Sequence, residues 1–158
     1  MLKKIISGGQ TGADRASLDF AIARGIPHGG WCPRGRVAED GLIDARYQLA
    51  ETPSEDPAQR TEWNVRDADG TVIFSISPTL SGGSQKSARF ASRYEKPLLH
   101  LCRERDRGTA AKKLSDFLLE HQIKTLNIAG PRASEEPEVA KFTLETLMKL
   151  SLVCKSME

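Results

Sequence analysis

Short apolar runs alternate along the chain with segments whose apolar residues recur at helical spacing. Residues 4–7, K-I-I-S, read as a buried strand, and residues 13–24 as a helix ending at Gly25. Weaker extended pieces fall near 26–30 and 46–50, separated by the irregular stretch W-C-P-R-G-R-V-A-E-D-G-L-I-D. Trp31, Val37, Leu42 and Ile43 are expected to anchor that stretch as an ordered loop. Pro57 after Asp56 suits the first turn of a helix over 57–67, and the D-G pair at 69–70 turns the chain.

Residues 71–76, T-V-I-F-S-I, form the clearest strand. A helix over 84–95 follows, with Phe90 and Tyr94 at i, i+4 and Pro97 beyond its end. Then come a strand at 98–102, a helix at 109–121 and a strand at 125–129. The last helix, about 135–152, turns Val139, Phe142 and Leu150 towards the core. Strands alternating with helices predict an α/β fold: a single domain over 1–158 with a doubly wound, mostly parallel, Rossmann-like sheet flanked by helices.

Composition adds bounds more than detail. The 158 residues, 39% hydrophobic and 28% charged, suit one soluble domain with a proper core. A formal net charge of +2 gives no ground for a nucleic acid or membrane partner, and neither is expected. Cys32, Cys102 and Cys154 are scattered and odd in number, and neither they nor His28, His100 and His121 have metal-ligand spacing. The N-terminus is too short in apolar residues for a signal peptide, and no run approaches a membrane span, so a cytoplasmic location is expected.

In a doubly wound fold, ligands sit at the carboxyl ends of strands where the winding reverses, so the strand-to-helix loops hold the candidate chemistry. The first is S-G-G-Q-T-G-A-D-R-A-S, residues 7–17. Glycines let backbone approach a ligand, and the free N–H groups of a helix start offer an anion site; the same glycines also serve a plain turn. No lysine follows Gly12 as a Walker A loop demands, and the spacing is not G-x-G-x-x-G. The second is S-I-S-P-T-L-S-G-G-S-Q-K-S, residues 75–87, where Ser84 reads either as part of a ligand cradle or as a helix N-cap. If the first strand lies beside 71–76, both loops flank one crevice.

The third loop, A-G-P-R-A-S at 129–134, offers Arg132 to a phosphate or carboxylate, or leaves it solvated. The irregular stretch supplies Arg34, Arg36, Glu39 and Asp40. Cys32 is either an inert packed thiol or one whose pKa Arg34 lowers. No G-x-S-x-G elbow or isolated carboxylate pair appears, so no residue is assigned to catalysis or to a metal.

Four blocks, G-G-Q-T-G-A-D-R-A at 8–16, G-W-C-P-R-G-R-x-A-E-D-G at 30–41, R-T-E-x-N-V-x-D-x-D-G-T at 60–71 and A-G-P-R at 129–132, make the chain resemble the putative molybdenum carrier family. That family is similar in fold to the lysine decarboxylase-like (LOG) proteins that bind nucleotide-related ligands. The resemblance implies a carrier that holds molybdenum cofactor (molybdopterin), or another anionic pterin- or nucleotide-like phosphate ligand, without turnover. The cofactor's dithiolene sulfurs would hold the metal. It also implies a homo-oligomer, tetramer or dimer, and molybdoenzymes as recipients.

Carried onto this sequence, the cofactor-binding positions are Gly8, Gly9, Thr11, Gly12, Asp14 and Arg15 from the first loop and Cys32, Pro33, Arg34 and Asp40 from the second block. Thr61, Glu62 and Asn64 come from the third, Ser75, Gly82, Gly83, Ser84 and Ser87 from the second glycine loop, and Arg132 from the last. Serines stand at 84 and 87 where threonines are expected. The competing function is a nucleotide-processing enzyme that cleaves an N-glycosidic bond, as the related phosphoribohydrolases do, or a nucleotide-ligand sensor. Those hydrolases resemble P-G-G-x-G-T-x-x-E, and the loop S-G-G-S-Q-K-S carries no glutamate. Gly12→Asp is expected to abolish ligand binding in a protein that stays folded.

Overall fold

The strand β1 (Lys4–Ile6) opens a five-stranded sheet in a computed structural model that describes residues 1–155, with side chains described through Leu150. Helix α1 (Ala13–Arg24) follows, stopped by Gly25 in the left-handed conformation, and leads to β2 (His28–Gly29). The irregular stretch holds β3 (Trp31–Cys32), β4 (Val37–Ala38), β5 (Gly41–Leu42) and β6 (Ala50–Glu51). Next come α2 (Pro57–Asp67), β7 (Gly70–Ser75), α3 (Gly82–Arg93), β8 (Leu98–Cys102), α4 (Arg103–Asp106), α5 (Ala110–Glu120), β9 (Thr125–Ala129) and α6 (Val139–Lys155). The short α4 has no counterpart in the sequence reading, and α6 begins four residues later than expected.

All pairings in the main sheet are parallel, in the order β2-β1-β9-β7-β8. This makes an α/β fold with a parallel sheet flanked by helices: α1, α6 and α5 pack together on one face, and α2 with α3 on the other. One expectation is corrected here. β1 does not lie beside β7; β9 is inserted between them, Ile5 in register with Leu126 and Val72 with Ile128. The winding therefore reverses around β9, and three loops, not two, converge there.

Burial follows the pattern of the strands. β7 is buried along its whole length, as a central parallel strand covered on both faces must be. Ile5, Phe74, Leu101, Leu126 and Ile128 meet Val139, Phe142 and Leu147 of α6 in one cluster. A smaller cluster of Leu18, Cys32, Ala38, Ile43 and Tyr47 fixes the irregular stretch. Of the expected anchors there, Ile43 is buried and Trp31 half-buried, but Val37 and Leu42 are exposed on the β4–β5 hairpin; Tyr47 takes their place. Asp56 caps α2 by accepting from Ala58 N at 2.9 Å, with Pro57 in the first turn where its missing N–H costs nothing.

Candidate functional site

The loops that leave β1, β9 and β7 and the start of α2 surround a cavity of about 320 Å³ at the carboxyl end of the sheet. Gly8, Gln10 and Asp14 come from the first loop and α1, and Arg60, Thr61 and Asn64 from α2. Gly82 to Ser84, Lys86 and Ser87 come from α3, and Arg132 and Glu135 from the loop after β9. Such a crevice at the reversal of winding is where open α/β sheets bind ligands.

One wall has backbone and hydroxyl donors of the kind that cradle an anion. The first turn of α3 opens onto the cavity with Gly82, Gly83 and Ser84, and its N-cap is Ser81, which removes the N-cap alternative for Ser84. Ser81 makes no side-chain cap bond. Ser84 is only 4% exposed, and its hydroxyl has no partner among the described residues. A buried hydroxyl left unpaired costs about 1–3 kcal/mol. It lies beside helix N–H groups and the positive end of the helix dipole, where an oxyanion is stabilised. Ser87, also buried, has spent its hydroxyl on Gly83 O at 3.1 Å.

Asp14, in the first turn of α1 and 7% exposed, lines the same cavity. Burial pushes its carboxyl up from the ordinary 3.8 to about 6, against the pull of Arg60, the Gln10 N–H, the neighbouring Ser7 hydroxyl and Arg15. Gln10 N donates to Asp14 Oδ2 at 3.2 Å. Arg60 holds the first loop in place by donating from Nη1 to Gly8 O at 2.9 Å. The sequence reading passed over Arg60, Gln10, Lys86 and Asn127. Arg60 opens the third quoted block, so its position was visible, but its reach across 52 residues to Gly8 was not.

Of the residues marked in the sequence, Gly8, Asp14, Thr61, Asn64, Gly82, Gly83, Ser84, Ser87 and Arg132 line this cavity. Asn64 reaches it with its amide committed to β3, accepting from Trp31 N at 2.8 Å and donating to Trp31 O at 3.0 Å. The others stand off the cavity in a frame around it. Thr11 donates to Glu39 and accepts from Ala133 N, joining the hairpin, the first loop and the loop after β9. Arg15 pairs with Asp40 at 2.5 Å and donates to Gly9 O at 3.0 Å. Gly9 and Gly12 both have positive φ; a Cβ on Gly12 would stand 2.4 Å from Pro131 O. Gly12→Asp would therefore disturb the fold itself, contrary to the expectation of a folded variant.

Cys32 is fully buried, and burial pushes its thiol up. Of the two readings of Cys32 the inert packed thiol fits: Arg34 pairs with Glu55 at 3.1 Å on the surface, and Pro33 O accepts from Arg36 N in a turn. Glu62 accepts from Tyr94 OH at 2.8 Å. Ser75 donates to Ser77 O and touches His100 Nε2, both at 2.6 Å. The described residues contain no group of three His, Cys, Asp or Glu placed to hold a metal, and no helix among them is long and apolar enough to cross a membrane.

Comparison with known proteins agrees with the α/β fold. A solved structure described as a putative molybdenum carrier protein from Syntrophus aciditrophicus SB is 49% identical, covers 94% of both chains and superposes with a TM-score of 0.92. No curated protein matches. Residues 5–151 match the model of the circularly permutated YpsA SLOG family, cpYpsA, and the chain belongs to that family.

Proposed function

We propose that the protein binds and carries a small phosphate-bearing molecule of pterin or nucleotide type in the cavity between α2, α3 and the three loops, without turning it over. The buried, unpartnered Ser84 hydroxyl at the open start of α3 carries this reading. A ligand oxyanion satisfies it together with the helix N–H groups, and Lys86, Arg60 and Arg132 supply positive charge around it. The likeness to a structure described as a molybdenum carrier protein favours a molybdenum-bearing cargo, for which we infer molybdenum cofactor. Its dithiolene sulfurs hold the metal, so the chain supplies contacts to the phosphate and ring. The cargo would pass to molybdoenzymes, from an oligomeric carrier in the cytoplasm.

Gly83→Asp tests the site. Gly83 has open space where a Cβ would stand and a φ outside the left-handed region, so the variant folds and sets a carboxylate in the cradle. Protein purified from a host that makes molybdenum cofactor should carry molybdenum and oxidised-pterin fluorescence together, and Gly83→Asp should carry neither. A wild-type protein free of both, but binding nucleoside monophosphates, would move the cargo to a nucleotide. A second reading has one observation in its favour: a cavity carboxyl with a pKa of about 6 suits general acid–base work. Release of free base from a nucleoside monophosphate would establish N-glycosidic cleavage over carriage.

A further inference from the structure

Asp14 and Asp106 are both buried carboxylates, and the protein treats them in opposite ways. Asp106 is fully buried and accepts from Cys102 N at 2.9 Å, Arg105 Nη2 at 2.9 Å and Lys113 Nζ at 2.5 Å. Those donors outweigh its burial and hold its carboxyl far below the ordinary range. Asp14 receives one backbone donor, Gln10 N at 3.2 Å, and forms no ion pair within 4 Å among the described residues. Ser7 lies close by but gives its one proton to Ile128 O at 2.7 Å. The other acids of the cavity are engaged: Asp56 caps α2, and Glu135 pairs with Arg132 at 2.9 Å.

An ionised carboxylate has room for about four donors, and burying it with one is costly. Arg60 makes no hydrogen bond or ion pair with Asp14 among the described residues: its Nη1 donates to Gly8 O and its Nε to Thr61 Oγ1 at 3.3 Å. The missing donors can come from the cavity, which Asp14 lines. We propose that Asp14 reads the uncharged end of the ligand, its carboxylate accepting from a two-donor edge, so that the cavity selects phosphate-bearing molecules with such an edge. Two chemical sources offer it: the N–H and NH₂ of a 2-amino-4-oxo ring, as in guanine and pterins, or the cis-diol of a ribose. The raised pKa of Asp14 agrees with a carboxylate short of donors. This inference rests on the phosphate reading of the cradle.

The test measures binding of inorganic phosphate, GMP, IMP and 2′-deoxy-GMP to the full chain. Hydrogen bonds to a charged acceptor predict that one analogue binds roughly 10- to 100-fold more weakly than GMP. Loss with IMP identifies the ring edge, and loss with 2′-deoxy-GMP the diol. Asp14→Asn should erase the preference while inorganic phosphate binds at least as tightly as to the wild type, a like charge having been removed from the cavity, and its circular dichroism should be unchanged. Equal binding of GMP and both analogues overturns the inference, as does a preference that survives in Asp14→Asn. A phosphate affinity unaltered by Gly83→Asp overturns the cradle reading instead, and with it the ligand pose on which Asp14 depends.

Discussion

Asp14→Asn should make the protein more stable at neutral pH, and the gain should vanish in acid. The folded chain holds the Asp14 proton until about pH 6, whereas the unfolded chain releases it near the ordinary 3.8. Between those values the folded state binds more protons, so stability falls as pH rises through the window. Above about pH 6 the penalty is complete. Each tenfold in the proton equilibrium is worth about 1.4 kcal/mol, so burying the ionised carboxyl costs about 3 kcal/mol. The isosteric amide carries no charge to desolvate but leaves its own N–H groups to satisfy, which trims the gain to about 1–3 kcal/mol. At about 2–4 °C per kcal/mol for a chain of this size, Tm should rise by about 2–12 °C. Urea or thermal unfolding of both proteins from pH 8 to pH 3.5 measures this directly. The gap should be largest at pH 7–8, shrink between pH 6 and 4, and close below that. A variant no more stable at pH 8, or a gap that ignores pH, refutes the reasoning.

Ser84→Ala removes an unpaired buried hydroxyl, so unfolding in denaturant should show no loss, and a gain of up to about 1 kcal/mol, while phosphate affinity measured by titration falls about tenfold. A variant that loses stability and keeps its affinity would show that the hydroxyl serves the fold. Asp106→Ala strips the donors from Cys102 N, Arg105 and Lys113 of their acceptor and should destabilise by about 2–4 kcal/mol at pH 7 in the same assay. Because the folded pKa of Asp106 is lowered, that contribution is present above the ordinary 3.8 and lost as pH falls below it, so the two proteins should converge in acid.

Local pattern made most elements legible. The apolar runs at 71–76, 98–102 and 125–129 match β7, β8 and β9 within a residue, and the Asp56–Pro57 pair marks the start of α2. The α3 boundary slipped by two residues because the reading began the helix after the glycines, whereas Gly82 and Gly83 form its first turn. Sheet order was not legible, since nothing local in T-L-N-I-A says that it pairs with both β1 and β7. The same long-range step hid Arg60: on α2 alone it reads as a solvated helix residue. Val37 and Leu42 misled because two-residue strands in a hairpin leave apolar side chains outside any core.

The residues that stand off the cavity explain why so distinctive a block as 30–41 need not touch ligand at all. Glu39 accepts from Thr11, from Ser134 N at 3.1 Å and from Ser134 Oγ at 2.6 Å, while its own N–H donates to Gln10 Oε1 at 2.9 Å. Asp40 grips Arg15, and Arg15 in turn holds Gly9 O. Through these bonds the β4–β5 hairpin clamps the loops after β1 and β9 into a single relative position. Glu136 joins the loop after β7, accepting from Ile76 N at 3.0 Å and Ser77 N at 2.9 Å. All three loops of the cavity are thereby tied to one another by side chains outside it. A cradle built from glycine-rich backbone has few side chains of its own to set its shape, so the shape must be imposed from around it. The carboxylates Glu39, Asp40 and Glu136 do that, which leaves the buried Ser84 hydroxyl and Asp14 carboxylate with hydrogen-bonding capacity to turn towards the cavity.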